Sequence, residues 1–266
     1  MIVFPEKSFD TKALIFDSHA HFYDEKFNGF RDELLKELPS RGVGAVINCG
    51  CDKKSSQESI FLSEKYDYMY CAVGIHPGNL DSGTTVEEIE KLSSHKKCVA
   101  IGEIGLDYYW EPEKAQEQKE IFKKQLNLAK KLGLPVIVHD REAHGDTLEI
   151  LKEYKPSGVL HSFSGSPEMA RELIKMGMYI GIGGVVTFKN AKKLPDVVAE
   201  LPEDKILLET DAPYLTPVPY RSKINNSAMI YLVAEKIAEI RNTTTDHILN
   251  IAYNNAKTLF SQSIYT

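Results

Sequence analysis

The sequence predicts an α/β protein with a single (β/α)8 TIM barrel, and three observations support this fold class. Eight short apolar runs recur along the chain, and most of them are continuous in aliphatic and β-branched residues. Such runs are typical of parallel strands that are covered on both faces. Longer amphipathic stretches separate the runs, and 266 residues is close to the length of about 250 that one barrel needs. We therefore expect one domain over residues 1–266, with a doubly wound open sheet as the alternative.

The eight apolar runs are the predicted strands, and a longer segment separates each one from the next. Parallel strands need such crossover segments, because consecutive strands run in the same direction. In chain order, the predicted strands cover residues 13–19, 43–49, 69–76, 98–105, 134–139, 158–163, 178–184 and 205–210.

Three amphipathic stretches show how the helices begin and end. The pattern in residues 112–133 places apolar side chains on one helical face, and Gly133 marks its end. Residues 166–177 begin with Ser166 as the N-cap and have a proline in the first turn. The stretch 225–262 predicts the helices that close the barrel.

The composition is typical of a globular protein and limits the function classes. The chain is 42% hydrophobic and 26% charged, and no apolar run approaches the length of about 18 residues that a membrane span needs. The net charge is −6, so no global basic field attracts a polyanion. Binding to nucleic acid would therefore depend on a local patch or on bound metal ions.

The four cysteines indicate a reducing compartment. They are scattered over apolar stretches and do not form a disulfide framework. We therefore expect a cytoplasmic protein, and the first ten residues lack the pattern of a secretory signal. Cys49 and Cys51 flank a single glycine, which is a spacing that can bind a soft metal. Because no second cysteine cluster accompanies them, we interpret both as ordinary thiols.

Polar side chains interrupt the predicted strands at their carboxyl ends, where barrels of this kind carry their active sites. His19 and His21 are one residue apart, so both side chains face the same side of the first strand. Four imidazoles and two carboxylates would be costly to bury together without cations. Two divalent ions would offset this cost, because the side chains would coordinate them. The residues at the strand ends are His19, His21, Glu103, His139, His161 and Asp211.

Five motifs resemble, in order and spacing, those of the TatD family of metal-dependent deoxyribonucleases, which is part of the amidohydrolase-like superfamily. The motifs are FDSHAHFYD, GEIGLDYY, PVIVHDREAHGD, LHSFSG and ILLETDAPYLTP. The resemblance extends from about residue 14 to about residue 230, and it implies a barrel with a two-metal site. On that pattern, one metal is bound by His19, His21 and Asp211, the other by His139 and His161, and both are bridged by Glu103.

Two stretches depart from the family pattern, and both lie in predicted substrate-facing loops. His76 and Pro77 are kept after the third strand, but Gly78 stands where the family often has a histidine. The segment YRSKINNS at 220–227 has serines where the family commonly has glycine and proline. The predicted metal ligands are unaffected, so these departures bear on which substrate binds more than on how it is hydrolysed.

The predicted chemistry is hydrolysis by a metal-activated water. Two cations about 3.5–4 Å apart can lower the pKa of a shared water, orient it and stabilise the charge on the attacked group. We expect Asp211 to orient this water and accept its proton, and Glu103 to offer one carboxylate oxygen to each ion. The metal identity is left open, because imidazole ligands favour Zn²⁺ or Mn²⁺ whereas the resemblance implies dependence on Mg²⁺.

Side chains around the predicted metals are candidates to bind the substrate. If the substrate is a phosphodiester, the cations supply the positive field that the net charge of −6 does not. Basic side chains would hold neighbouring phosphates, a tyrosine would stack on a base, and a further histidine would reach the substrate. These candidates are Arg141, Arg221, Lys223, Tyr108 and His76.

Three functions are compatible with this predicted site, and the leading one is a deoxyribonuclease whose partner is DNA. An ester or amide hydrolase, such as a D-aminoacyl-tRNA deacylase, would use the same two metals on a different bond. A barrel that keeps its metals for structure and acts only by binding a partner is the third function. This last function is disfavoured, because a structural metal site is usually closed by protein ligands.

Overall fold

The chain folds into the predicted (β/α)8 barrel, as seen in a computed structural model that describes residues 2–5 and 13–264. The other positions of the predicted domain 1–266, namely 1, 6–12 and 265–266, lie outside the described residues. Eight parallel strands form one sheet in chain order, and each strand pairs with the next. The strands are β1 (Ile15–Ala20), β2 (Val43–Cys49), β3 (Met69–Val73), β4 (Cys98–Asp107), β5 (Val136–Arg141), β6 (Gly158–Leu160), β7 (Tyr179–Ile182) and β8 (Ile206–Leu208).

The barrel closes where the chain beyond β8 meets the carboxyl end of β1. The N–H of Asp211 donates to the carbonyl of His19 at 2.9 Å, and the N–H of His21 donates to the carbonyl of Ala212 at 2.7 Å. Ala20 and Ala212 form a parallel bridge at the same point. Closure therefore fixes His19 of β1 and His21, which directly follows β1, against Asp211, which follows β8.

One α-helix lies between each pair of consecutive strands, and two more follow β8. Within the described part of the chain, no helix combines the length and the apolar content that crossing a membrane requires. The helices are α1 (Arg31–Glu37), α2 (Lys53–Lys65), α3 (Val86–Ser93), α4 (Ala115–Leu132), α5 (His144–Tyr154), α6 (Pro167–Lys175), α7 (Leu194–Glu200), α8 (Ile230–Arg241) and α9 (Thr245–Ile264).

The predicted helix ends are confirmed where capping chemistry defines them. Gly133 ends α4 in the left-handed conformation, with φ at 68°, which glycine adopts without a steric penalty. The Ser166 hydroxyl accepts a hydrogen bond from the N–H of Met169 at the start of α6. The stretch predicted to close the barrel contains α8 and α9.

The strands match the predicted runs, and the differences are concentrated at their carboxyl ends. β2 has the predicted bounds. β5 continues to Arg141, because Asp140 and Arg141 still pair with residues of β4. β6 ends at Leu160, two residues before Ser162, whose φ of 45° is incompatible with an extended strand. The chain therefore leaves the sheet early where predicted ligands follow a strand.

The amino end of the barrel is filled by apolar side chains and covered by α9. Residues near the starts of the strands form one apolar cluster with side chains from α9. The rings of Phe16 in β1 and Phe260 in α9 are stacked, with their centroids 6.2 Å apart. The opposite, carboxyl end of the barrel is the end at which the polar side chains collect.

Candidate metal centre

The six side chains predicted as metal ligands converge at the carboxyl end of the barrel. His19 lies in β1 and His21 directly follows it. Most of the group is buried, and His19 has no exposed surface. The other members come from separate elements and reach the same place because each lies in the carboxyl half of a strand or just after one: Glu103 in β4, His139 in β5, His161 after β6 and Asp211 after β8.

The carboxylate of Glu103 divides the cluster into two sets of imidazoles. Its Oε2 lies 3.3 Å from Nε2 of His19 and 3.5 Å from Nε2 of His21. Its Oε1 lies 2.8 Å from Nδ1 of His139 and 2.8 Å from Nε2 of His161. One carboxylate oxygen therefore faces each set, which is the arrangement that a bridging ligand requires.

The first set contains His19, His21 and Asp211. The two Nε2 atoms of the histidines are 2.9 Å apart, and Asp211 Oδ1 lies 3.3 Å from Nε2 of His21. His21 Nδ1 donates to the carbonyl of Cys49 at 2.9 Å, because a carbonyl oxygen can only accept. In the neutral form of His21 the lone pair is therefore on Nε2, directed toward the other polar atoms, as in a metal ligand.

The second set contains His139 and His161. The Nδ1 of His139 is 3.2 Å from Nε2 of His161, while its Nε2 is 3.1 Å from Oδ2 of Asp107. When Asp107 is ionised it only accepts, so the ring proton of neutral His139 lies on Nε2 and the Nδ1 lone pair faces Glu103. The ring of His76 stands beside this set, with its Nε2 3.6 Å from Glu103 Oε1.

The pKa values of the side chains in this cluster depend on burial and on the neighbouring charges. Burial alone would raise the pKa of Glu103, but the surrounding imidazoles hold it well below its usual range. Burial lowers the pKa of His139 and of His161, yet the nearby carboxylates outweigh burial and raise both values above that of a free imidazole. Burial holds the pKa of His76 at about 3, so this imidazole is neutral. The imidazoles of His139 and His161 therefore favour their protonated forms beside Glu103.

The donor atoms fit divalent cations. A tetrahedral ion with bonds of about 2.0–2.2 Å to nitrogen and oxygen brings its ligand atoms to about 3.5 Å from each other. The contacts of Glu103 Oε2 with His19 and His21, at 3.3 and 3.5 Å, match this spacing. Among the described residues, the groups of three donors within 4.8 Å of one another are His19–His21–Asp211, His19–Glu103–His161, His21–Cys51–Glu103 and His76–Glu103–His139.

A cavity of about 930 Å³ extends from the cluster and carries basic and aromatic side chains. Arg141 lies beside it at the end of β5, with its guanidinium carbon 4.1 Å from the ring centroid of Tyr109 and 5.5 Å from that of Trp110. Trp110, Lys192 and Lys193 also line the cavity, which therefore offers positive charge and an exposed ring beside the metal ligands.

The predicted substrate residues are divided between the cavity and other positions. His76 and Arg141 line the cavity. The guanidinium of Arg221 stacks on Phe188 at 3.7 Å, and Lys223 is exposed; neither lines this cavity. Tyr108 is also placed elsewhere, since its ring packs against the core and its hydroxyl donates to Asp146 at 2.7 Å. Trp110 is the aromatic side chain of this loop that lines the cavity.

Sequence reasoning missed several residues of this region. Asp107 lies four residues after Glu103 in the same strand, so the alternation of strand side chains was a signal that could have identified it. Cys51 follows β2 and enters the cluster, although its sequence spacing alone gave a weak indication. Trp110 and the two cavity lysines carry no comparable signal, because their positions depend on how the loops fold over the barrel.

A closed barrel of eight parallel strands with histidines and carboxylates at one rim fits the class of metal-dependent hydrolases that are built on a TIM barrel. The family described as "TatD related DNase" matches residues 16–261, and the chain belongs to this family.

Relatives and solved structures agree with this assignment. The chain is 42% identical over 254 residues to the metal-dependent hydrolase YabD of Bacillus subtilis, covering 93% of this chain and 99% of that protein. It is 36% identical to the metal-dependent hydrolase YcfH of Escherichia coli, covering 92% and 94% of the two chains. The crystal structure of YjjV, a TatD homologue from Escherichia coli, superposes with a TM-score of 0.87 at 33% identity, covering 93% of this chain and 98% of that one. The chain is therefore a metal-dependent hydrolase of the TatD family.

Proposed function

We propose that this chain is a deoxyribonuclease that hydrolyses phosphodiester bonds of DNA and depends on two divalent cations. The observation that carries the proposal is the position of Glu103, whose two carboxylate oxygens face two different sets of imidazoles. Membership of the TatD related DNase family supports the choice of DNA as the substrate. Such cations, when bound, supply an activated water and neutralise phosphate charge.

The proposed ligand sets follow the geometry of the two halves of the cluster. His19, His21 and Asp211 would hold one cation, and His139 and His161 would hold the other, with Glu103 between them. Imidazole nitrogen is a better ligand for Zn²⁺ or Mn²⁺ than for Mg²⁺, so we propose Zn²⁺ or Mn²⁺ as the resident ions. The four free cysteines support a reducing, cytoplasmic location.

Asp211 is the proposed proton acceptor. Its side chain is 20% exposed and lines the cavity, unlike the more deeply buried Glu103. Burial opposes its ionisation, but the hydrogen bond and charge of His21 outweigh burial and lower the pKa of the Asp211 carboxyl. Asp211 is therefore a carboxylate at neutral pH, able to orient a water and to accept its proton.

The cavity beside the cluster is the proposed site for the DNA strand. Arg141, Lys192 and Lys193 would pair with backbone phosphates, which compensates locally for the net charge of −6. Trp110 is 67% exposed at this cavity and offers a face on which a base can stack. Neutral His76 stands between the cavity and the cluster, where it can hydrogen-bond to a substrate oxygen.

The decisive test compares two substrates with the same metal-loaded protein. We expect Zn²⁺- or Mn²⁺-loaded protein to degrade labelled single-stranded DNA and to leave aminoacylated tRNA intact. Release of free amino acid with intact DNA would favour the acyl hydrolase instead. Metal-loaded protein that cleaves neither substrate would support a barrel that acts only by binding.

Two variants test the assignment of the catalytic groups. His139→Ala removes a ligand of one proposed cation, and Asp211→Ala removes the proposed proton acceptor. We expect both to lose DNA cleavage by at least about 100-fold, whereas His95→Ala, at a surface histidine that contacts Glu64, retains it. Unaltered cleavage by His139→Ala and Asp211→Ala would remove these residues from the mechanism.

A further inference from the structure

A thiol enters the metal centre from a loop that the proposed nuclease chemistry does not use. Cys51 follows β2 and lines a cavity of about 430 Å³ together with several of the proposed ligands. Its Sγ lies 3.8 Å from Oε2 of Glu103, the oxygen that faces His19 and His21. Donor atoms of His21, Cys51 and Glu103 all lie within 4.8 Å of one another. The sulfur is therefore within reach of an ion that the other two residues hold.

Backbone hydrogen bonds from the site itself hold Cys51 in this position. The N–H of Glu103 donates to the carbonyl of Gly50 at 2.9 Å, and the N–H of His76 donates to the carbonyl of Cys51 at 2.9 Å. The N–H of Cys51 donates to the hydroxyl of Ser55 at 2.8 Å, in the first turn of α2. The loop that carries the thiol is thus connected to two other residues of the cluster.

A hydrogen-bond donor is directed at the sulfur. The hydroxyl of Tyr23 donates to Sγ of Cys51 at 3.2 Å, and the same oxygen lies 3.0 Å from His21 Nδ1. A hydrogen bond donated to sulfur stabilises the thiolate, which is the form that binds metals. Cys49 differs, because it is fully buried among apolar side chains and its Sγ is directed to the carbonyl of Ile47 at 3.9 Å.

We propose that Cys51 is a thiolate ligand of the cation held by His21 and Glu103, and that it makes this position selective for zinc. The inference rests on the proposed metal centre. Thiolate sulfur is a soft donor that favours Zn²⁺, whereas carboxylates and carbonyls suit Mg²⁺ and Mn²⁺. When the ion binds, the thiol releases its proton to solvent and the sulfur donates an electron pair to the metal.

The test is absorption spectroscopy of the cobalt-loaded protein, with cobalt content measured by elemental analysis of the same samples. Cobalt bound by a thiolate gives a sulfur-to-metal charge-transfer band in the near ultraviolet, which nitrogen and oxygen ligands do not give. We expect this band in the wild type and in Cys49→Ala, and its loss in Cys51→Ala at an unchanged cobalt content. We also expect the ratio of Zn²⁺ to Mn²⁺ affinity to fall by at least about tenfold in Cys51→Ala.

The possible failures are distinguishable. Cobalt uptake by the wild type without the band, or a band that persists in Cys51→Ala, overturns the thiolate ligand but not the two-metal centre. A wild-type protein that takes up neither cobalt, zinc nor manganese overturns both proposals. If Cys51→Ala does not fold, Cys51→Ser, which has a side chain of nearly the same size, is measured instead with the same expected loss of the band.

Discussion

The ring of His139 is hydrogen-bonded through its Nε2 to Oδ2 of Asp107, at 3.1 Å, and this bond directs its Nδ1 into the cluster. The other oxygen of Asp107 accepts the N–H groups of Tyr109 and Trp110, at 3.0 and 3.1 Å. One carboxylate therefore fixes the tautomer of a proposed metal ligand and the loop that carries the exposed tryptophan. Carboxylates behind histidine ligands commonly have this orienting role.

We predict that Asp107→Asn weakens metal binding. Because Oδ1 is already engaged by two N–H donors, the new amide nitrogen would face His139 Nε2 and force the ring proton to Nδ1. The affinity for one of the two ions should fall by about 10- to 100-fold in a metal titration. Asp146→Asn, at an acid that contacts Tyr108 and Lys119, is the control and should bind metal as the wild type does. Equal affinities in both variants would show that the Asp107 charge does not orient the ligand.

We predict that metal affinity rises with pH over a range displaced upward from that of free imidazole. Burial lowers the pKa of His139 and His161, but the surrounding carboxylates outweigh it and leave both pKa values raised, so protons compete with the metal at higher pH. Each proton must leave before its nitrogen binds an ion. Calorimetric titrations between about pH 5 and pH 9 should show proton release on binding and weaker affinity at the acidic end. An affinity that is constant over this range would contradict the proposed imidazole ligands.

We predict that Trp110→Ala affects substrate binding more than turnover. The exposed ring lines the cavity but touches none of the proposed metal ligands through a hydrogen bond. Loss of one stacking contact should raise KM for single-stranded DNA by about tenfold while kcat changes little. Phe61→Ala, which removes another exposed aromatic ring outside this cavity, serves as the control. If kcat falls and KM does not, the ring has a role in the chemistry rather than in binding.

We predict that Asp17 makes folding stability depend on pH. Its buried carboxyl contacts the hydroxyls of Thr210 and Ser227, both at 2.7 Å, and burial raises its pKa from 3.8 to about 7. The folded chain therefore keeps a proton that the unfolded chain loses. The resulting stability is present below the unfolded pKa and is lost as the pH rises through about 7.

Asp17→Asn mimics the protonated form, so this variant should lose that pH dependence. In urea unfolding with chelator present, we expect the free energy of unfolding of Asp17→Asn to exceed that of the wild type. The difference should rise from about 1 kcal/mol near pH 5 to about 4 kcal/mol near pH 8. Asp204→Asn, at an exposed side chain, should show no such gain. If the unfolding free energies of Asp17→Asn and the wild type differ by the same amount at about pH 5 and at about pH 8, the raised pKa of Asp17 is wrong.

The barrel was predictable from the sequence because parallel strands buried on both faces leave continuous apolar runs. The ends of those runs were less predictable, because hydrogen bonds to the site take the chain out of the sheet there. Glu209 and Thr210 belong to the predicted eighth run, yet Thr210 N–H donates to Asp17 and Glu209 lies beyond β8. An apolar pattern contains no information about such bonds.

The ligand cluster was predictable for a related reason, since every predicted ligand lies in the carboxyl half of a strand or just after one, and closure of the barrel brings these parts of the strands together. Substrate contacts depend on loop conformation. Tyr108 and Trp110 are two residues apart, but only Trp110 lines the cavity, because the N–H of Tyr108 donates to the carbonyl of Arg141 and its hydroxyl donates to Asp146. Sequence spacing does not distinguish these two rings.

Anomalous X-ray diffraction from crystals grown with Zn²⁺ or Mn²⁺ would show whether Glu103 lies between two cations. We predict two anomalous peaks, one beside His19 and His21 and the other beside His139 and His161, with a carboxylate oxygen of Glu103 in contact with each. A single peak, or peaks away from Glu103, would rule out a carboxylate shared by two cations.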